Sequence, residues 1–435
     1  MTNKLISGIN SYLFGGISQD KLRRNFYNLY LDISWFGILN GSTLAFLTVY
    51  AARLKASGFE IGLINAIPAF VNLIFTLPTG KWLSLFPIEK TVVISAFSSR
   101  IFYLFLILLP WLFSASNQIT AIIVLLVIMS IPNTILAVGF SVLFSEAVPN
   151  EWRGKVAGIR NALLSLITMV TSIICGGILV NTKFPSGYQI VFAMGFMGSI
   201  LSSIHLLWVK PFEVGHSDRN NRNERDLTSI PDRTINGSTK GMLITGMKTA
   251  FSFHILSGSY GRIILLLFVF HLFQYLPIPV FPLYSVNTLL LSDQEISIGN
   301  ALFFLTVFLG ALRVEGLVSK IGNQKVTAFG TIFMGLYPAL IALSKYWIPL
   351  YYVASIIGGF AWAMVSVSLL NYLLEKVPSK DKPSYLAWYN LVLNAAILVG
   401  ALLGPVIGGI VGFAPALIIF AVGRIVAGMS ILRWG

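Results

Sequence analysis

Residues 119–144 read ITAIIVLLVIMSIPNTILAVGFSVLF, a stretch without one charged side chain, interrupted only by polar uncharged residues and a single proline. Such a run outlasts the roughly 18 apolar residues that mark a membrane-spanning helix, and no soluble core requires it. Of 435 residues, 56% are hydrophobic and 11% charged, where an ordinary soluble domain carries roughly 25% charged residues. On either side of 119–144, apolar blocks between charged or turn-rich breaks place spans near 27–51, 59–83, 91–113, 118–145, 155–180 and 187–209. A second set follows near 260–286, 295–317, 326–344, 346–373, 384–411 and 413–432. The expected fold is an all-α polytopic membrane protein of twelve transmembrane helices in two six-helix bundles, residues 27–209 and 260–435. Residues 1–26 form an N-terminal arm and residues 210–259 a linker, both expected to be cytoplasmic.

The net charge of +14 does not point to nucleic acid, because the basic residues lie in short segments between apolar blocks and not in a separate soluble domain. They read as topology signals, since cytoplasmic loops carry the excess of Lys and Arg. With the N-terminus inside, 23 of the 30 basic residues fall in inner segments, and Arg53, Lys55, Lys183 and Lys345 in outer ones. Both termini are therefore expected in the cytoplasm, and the bilayer is an expected partner. No short apolar core followed by a small-residue cleavage site opens the chain, so the first span is expected to serve as its own insertion signal. Cys175 is the only cysteine, which excludes an intrachain disulfide and supports no metal cluster. Residues 216–240 are rich in Arg, Asn, Asp, Ser and Thr and are expected to be disordered. Residues 242–256, and an arm carrying Leu5, Ile6, Ile9, Leu13 and Phe14, are expected as helices on the membrane surface.

Sliding the chain on itself by 235 residues aligns Glu60-Ile61 with Glu295-Ile296, Asn65-Ala66 with Asn300-Ala301, Leu77 with Leu312, Ser84 with Ser319 and Lys90 with Lys325. A second window, at an offset of 229, aligns Glu146 with Glu375, Val148-Pro149 with Val377-Pro378, Arg153 with Lys382 and Asn161 with Asn390. Six spans separate the partners, an even number, so the halves have the same orientation in the membrane. They are expected to be parallel repeats about an axis along the membrane normal.

Twelve spans in two sets, a long middle loop and these loop motifs resemble the major facilitator superfamily over all but the arm and the linker. In that family the span 2 to 3 loop carries Gly-x-Leu-Ala-Asp-Arg-x-Gly-Arg-Lys, which latches a cytoplasmic gate. Here its place is taken by GKWLSLFPIEK (Gly80 through Lys90) and, in the second half, EGLVSKIGNQK (Glu315, Gly322 and Lys325 among them). The aspartate is serine in both copies, Ser84 and Ser319, and Pro87 replaces the second glycine of the first copy, so the latch is degenerate. The Arg-x-x-x-Gly pattern of proton-coupled members has no counterpart in residues 119–148, which contain no Arg or Lys. Residues 400–409, GALLGPVIGG, reproduce an antiporter pattern that the family carries on span 5, with Gly404 and Pro405 at its centre. Small residues there allow either a flexing contact or ordinary close helix packing.

An ionisable group deep in a span is costly and is by default a functional candidate. Asp32, eight residues past Arg24 and up to ~12 Å along span 1, is a candidate for binding a cationic group or a proton; pairing with Arg160 is the structural alternative. His271, ~13 Å past Arg262 in span 7, with Gln274 and Tyr275 one turn on, is a proton-sensitive contact or a packing histidine. Pro277, Pro279 and Pro282 nearby mark a break in the helix and a gate element. Arg100 is expected to bond within its bundle, and Arg313, Glu315 and Arg424 to snorkel or pair near the cytoplasmic end. Trp35, Phe36, Asn40, Asn133, Trp362, Trp388 and Asn390 complete the candidate cavity, and Arg153 and Arg160 the loop motifs.

No clustered nucleophile, metal-ligand set or acid and base pair supports an enzyme, and no cofactor is implied. The expected function is secondary active transport of a small organic solute by alternating access, as efflux or antiport of amphipathic molecules. A coupling proton is an expected partner, and the family implies a monomer; a bacterial inner membrane fits the short outer loops. Nutrient uptake by symport, lipid flipping and a non-transporting receptor on the same fold are the alternatives.

Overall fold

The computed structural model describes residues 20–83, 85–211, 258–377 and 382–435. The surface helices expected in the arm and linker, and Ser84, lie outside them. Among the described residues, twelve helices are long and apolar enough to cross a membrane. In the first half they are α1 (Asp20–Arg53), α2 (Gly58–Leu83), α3 (Ile88–Leu112), α4 (Ala115–Ala147), α5 (Asn150–Asn181) and α6 (Ser186–Leu207). In the second they are α7 (Tyr260–Asn287), α8 (Asp293–Ile321), α9 (Asn323–Leu343), α10 (Pro349–Lys376), α11 (Lys382–Val411) and α12 (Phe413–Trp434). Twelve crossings return the chain to the side it started from, so Asp20 and Trp434 share one face, here the terminal face. Helix α1 begins several residues before its apolar block, because a helix continues past the hydrocarbon wherever its backbone bonds persist.

The halves share more than a helix count. Helix α2 starts with Ser57 at its N-cap: Ser57 N–H and Oγ–H both donate to Glu60 Oε2 at 2.7 Å, and Glu60 N–H donates back to Ser57 Oγ at 3.2 Å. At the offset of 235 residues, Ser292 N–H and Oγ–H donate to Glu295 Oε2 at 2.7 and 2.8 Å, and Glu295 N–H returns to Ser292 Oγ at 3.2 Å. Each is a reciprocal capping box that satisfies otherwise orphaned donors at a helix start. Glu60 and Glu295 therefore match in sequence because the same helix must begin at the same place in both halves.

Among the described residues three helices are interrupted: α3 by a turn at Ile101, and α1 and α7 more consequentially. Residues Asn40–Leu44 of α1 form a π turn, flanked by close helix contacts. A Cβ on Gly41 would lie 2.5 Å from Thr168 O on α5, and one on Gly195 of α6 would lie 2.0 Å from Thr43 Oγ1. The extra residue in that turn shifts the phase of the rest of α1, so that Ala45, Phe46, Thr48 and Val49 face the second half. Helix α7 is broken between Tyr275 and Val280, at Pro277 and Pro279. Phe281 N–H still reaches Pro277 O at 2.9 Å, which carries the chain through the bend.

Buried arginines brace each bundle. Arg100 Nη1 donates to Ser199 O at 3.1 Å and Ser203 Oγ at 2.6 Å, joining α3 to α6 as the sequence led one to expect. Arg424 departs from expectation. It does not snorkel: it is fully buried, and Nε, Nη1 and Nη2 donate to Phe273 O, Met334 O and Gln274 O at 3.0, 2.9 and 2.8 Å. Ten residues separate it from Trp434, too far for its side chain to reach the terminal face, so the break in α7 and the adjacent turn of α9 supply carbonyls instead.

Candidate functional site

The two halves join at the face opposite the termini. Helix α5 packs on α8, α2 on α11, and the end of α1 on the last turns of α7. Arg53 Nε and Nη2 donate to Asp293 Oδ1 at 3.1 and 2.9 Å, and Nη2 also reaches Leu291 O at 2.5 Å. Ser297 Oγ donates to Ser172 O, and Asn300 Nδ2 to Ser172 Oγ at 2.6 Å. Glycines let the backbones approach: a Cβ on Gly176 would lie 2.3 Å from Ser297 Oγ, one on Gly62 2.7 Å from Ala401 O, and one on Gly58 2.9 Å from Pro405 Cβ. Toward the terminal face the relation changes. Gly154 and Gly158 of α5 and Gly316 of α8 have open space where a Cβ would stand.

Behind this seam lies a cavity of about 410 Å³. Ala45, Phe46, Thr48 and Val49 of α1 form one wall, and α7, α8, α9, α10 and α12 form the others. Eight aromatic rings face it: Phe46, Tyr275, Phe281, Phe303, Phe304, Tyr337, Tyr351 and Trp362. The polar side chains of the wall are Thr48, Gln274, Ser285, Asn300, Ser355 and Arg424. Mostly apolar walls with a few placed polar groups are what a small-molecule site needs, since apolar area supplies affinity and the polar groups fix orientation. Gln274 is buried and its Oε1 has no hydrogen-bond partner. A buried acceptor left unpaired costs about 1–3 kcal/mol, so a rotation of this amide that turns Oε1 toward a donor on an occupant is favoured.

Of the candidates drawn from sequence, Gln274, Tyr275 and Trp362 line the cavity. His271 is buried one turn away, with Nε2 3.2 Å from Tyr389 Oη on α11. Asp32 is turned into the first bundle: Oδ2 accepts from Arg160 Nη1 at 3.1 Å and Oδ1 from Ser202 Oγ at 2.5 Å. Arg160 also donates to Leu29 O at 2.5 Å and lies 4.8 Å from the centre of the Phe140 ring. The pairing weighed against a substrate role is thus the one that forms. Trp35 and Phe36 are half-buried, the Trp35 carbonyl packed on Gly198 and the Phe36 ring 6.0 Å from the Arg100 guanidinium. Asn40 Nδ2 donates to Thr168 Oγ1 at 3.1 Å, while Asn133 is exposed. Trp388 is buried in the apolar cluster of the second bundle.

The loop motifs act mainly on backbone. Arg153 Nε donates to Val148 O at 3.0 Å and its Nη2 to Ser145 O, which caps the carbonyl end of α4. Gly322, at φ 84°, ends α8 in a conformation that side chains resist. Gly80 lies within α2, and Lys90, Glu315 and Lys325 are exposed. Gly404 sits on the broken stretch of α7, where a Cβ would lie 1.9 Å from Leu276 O, while Pro405 touches Gly58 and Gly62 of the first half. The antiporter-like motif therefore marks the junction of α2, α7 and α11.

A polar ladder across the halves went unread in the sequence. Thr134 Oγ1 donates to Asn72 Oδ1 at 2.6 Å, Asn72 Nδ2 to Asn394 Oδ1 at 3.3 Å, and Asn394 Nδ2 to Asn390 O at 2.8 Å; the Asn390 side chain itself is exposed. Amides in spans were the available signal, and only helix rotation reveals which of them meet.

A sequence search of curated proteins returns no match. Among solved structures, a D-xylose-proton symporter superposes with a TM-score of 0.70 at 14% identity, over 95% of this chain and 98% of that one. The nucleoside transporter NupG gives 0.60 at 14%, over 96% and 99%. A POT family transporter in complex with 5-aminolevulinic acid gives 0.66 at 13%, over 94% and 95%. These likenesses establish the fold. The model of the Major Facilitator Superfamily matches residues 33–260 and 263–434, so the chain belongs to that superfamily of secondary transporters of small solutes, which are not enzymes.

Proposed function

We propose that this protein carries a small amphipathic organic solute by alternating access, working as an exporter or antiporter. The observation that carries the reading is the aromatic cavity lying directly behind the seam that, among the described residues, closes the halves together at the face opposite the termini. The halves rock about this site, and the arrangement described here is the one open toward the terminal face. The excess of Lys and Arg in the terminal-face loops supports a cytoplasmic placement of both termini, in a bacterial inner membrane, with the chain working as a monomer. A coupling proton is assigned to the His271 and Tyr389 pair, one turn from the cavity, or to Asp32. The site residues of this proposal are Gln274, Tyr275 and Trp362 at the solute, with Gly404 and Pro405 at the hinge.

The test is flux into proteoliposomes with an imposed proton gradient. Uptake of an aromatic amphiphile that is driven by an inside-acidic gradient and lost in Trp362→Ala supports antiport. Uptake driven by the opposite gradient supports symport, the second reading, for which the D-xylose-proton symporter of like fold offers a precedent. Binding without flux under either gradient marks a receptor.

A further inference from the structure

Among the described residues that line the cavity, Arg424 is the one with a charged side chain, buried just behind the wall, and none carries a carboxylate. Three carbonyl oxygens accept from Arg424, and these dipoles do not cancel a full positive charge. The nearest acid in sequence to a lining residue is Glu295, and its carboxylate is held at the start of α8 by Ser292 N–H and Oγ–H. Asp32 and Asp293, which would favour a cation, are each paired with an arginine. The unpartnered Oε1 of Gln274 adds a second demand, for a donor on the solute, and it arises on the residue whose backbone carbonyl binds Arg424.

We infer that the cavity selects a neutral or anionic solute bearing a planar apolar group and an N–H or O–H donor, and that it rejects organic cations. This rests on the transport reading for its role in flux, but the selectivity itself is a property of binding. The rings of Trp362, Tyr351 and Phe303 take the planar group, Gln274 accepts its donor, and Arg424 sets the sign of charge that the site tolerates. The sequence alone left Asp32 open, as a contact for a cationic group or a proton or as the partner of Arg160. The paired state of Asp32 and the position of Arg424 weigh against a cation.

Three probes of one shape decide it: indole-3-acetamide, indole-3-acetate and tryptamine, which are neutral, anionic and cationic at pH 7. Each is titrated against the full-length protein in nanodiscs by calorimetry. The expected result is that the amide and the acetate bind and tryptamine binds about tenfold more weakly or worse, as like charges brought together in a desolvated site demand. Gln274→Glu adds a carboxylate to the wall, on the residue whose carbonyl binds Arg424, and the preference should invert toward tryptamine. Gln274→Leu keeps Arg424 but loses the acceptor, so it should weaken the amide while still excluding tryptamine. Tryptamine binding as well as the amide, an unchanged ranking in both variants, or no binding of any probe overturns the inference. The expected ranking without flux in proteoliposomes would leave the selectivity standing and remove the transport reading instead.

Discussion

Arg53 Nη2 lies 2.9 Å from Asp293 Oδ1, joining the last turn of α1 in one half to the first residue of α8 in the other. The pair is partly sheltered, and the second hydrogen bond of Arg53, to Leu291 O, fixes its direction. In the superfamily the charged latch belongs to the loop motif between spans 2 and 3, whose two copies here carry serine in place of the aspartate; among the described residues, the ion pair between the halves stands at the face opposite the termini. A pair of this exposure contributes about 0.2–1 kcal/mol. Asp293→Asn should therefore shift the balance toward opening at this face by a few-fold rather than abolish closure. Spin labels at Phe59 and Val411, on a Cys175→Ser background, should show the longer-distance population rise in that variant, and a distribution matching the parent would assign closure to the glycine packing alone.

Asp32 is buried between Arg160 and Ser202, so neutralising it leaves the Arg160 charge without its acid. Breaking a buried pair by removing one partner costs about 3–5 kcal/mol. Asp32→Asn should lower the melting temperature in detergent clearly, and the double variant Asp32→Asn with Arg160→Gln should recover much of the loss. Equal melting of parent and single variant would mean that the pair is not what braces α1 to α5.

Gly404 and Gly409 belong to one motif yet meet different surroundings. A methyl group on Gly404 would collide with the Leu276 carbonyl, and backbone cannot step aside as a side chain can, whereas Gly409 has nothing within 4 Å. Gly404→Ala should push α11 off the break in α7 and reduce both stability and flux, and Gly409→Ala should leave both unchanged within about 0.5 kcal/mol. Melting curves and transport rates of the two variants side by side check this, and equal behaviour would remove the packing argument.

What the sequence disclosed follows from what each feature requires. A span needs its own apolar run, so all twelve were legible, and a helix start needs its cap, so Glu60 and Glu295 betrayed the repeat. Site residues were legible only where position along the helix sufficed, as for Gln274, Tyr275 and Trp362. Asp32 was singled out because a carboxylate in a span is conspicuous, but the letter is the same whether it faces a cavity or a neighbouring arginine. The wall made by Ala45, Phe46, Thr48 and Val49 was hidden because the π turn at Asn40–Leu44 changes the phase of α1 beyond it. Helix rotation decided the rest: Asn133 and Asn390 carry suitable amides but are exposed, while Asn72 and Asn394 form the ladder.

Arg424 offers the sharpest test of how the second half is held. Its planar fork serves three carbonyls on α7 and α9 at once, at the point where α7 is broken and cannot satisfy its own backbone. A lysine keeps the charge but presents its donors from a single nitrogen on a shorter reach, so it cannot span Phe273 O, Gln274 O and Met334 O together. Each buried acceptor left behind costs about 1–3 kcal/mol. Arg424→Lys should thus destabilise the second half more than Arg100→Lys destabilises the first, because Arg100 serves only Ser199 O and Ser203 Oγ. Hydrogen exchange followed by mass spectrometry should show faster exchange around residues 273–281 in Arg424→Lys and little change there in Arg100→Lys. Protection that is equal in the two variants would mean that the break in α7 is held by the packing of Gly400 and Gly404, and that Arg424 acts on the cavity through its charge alone.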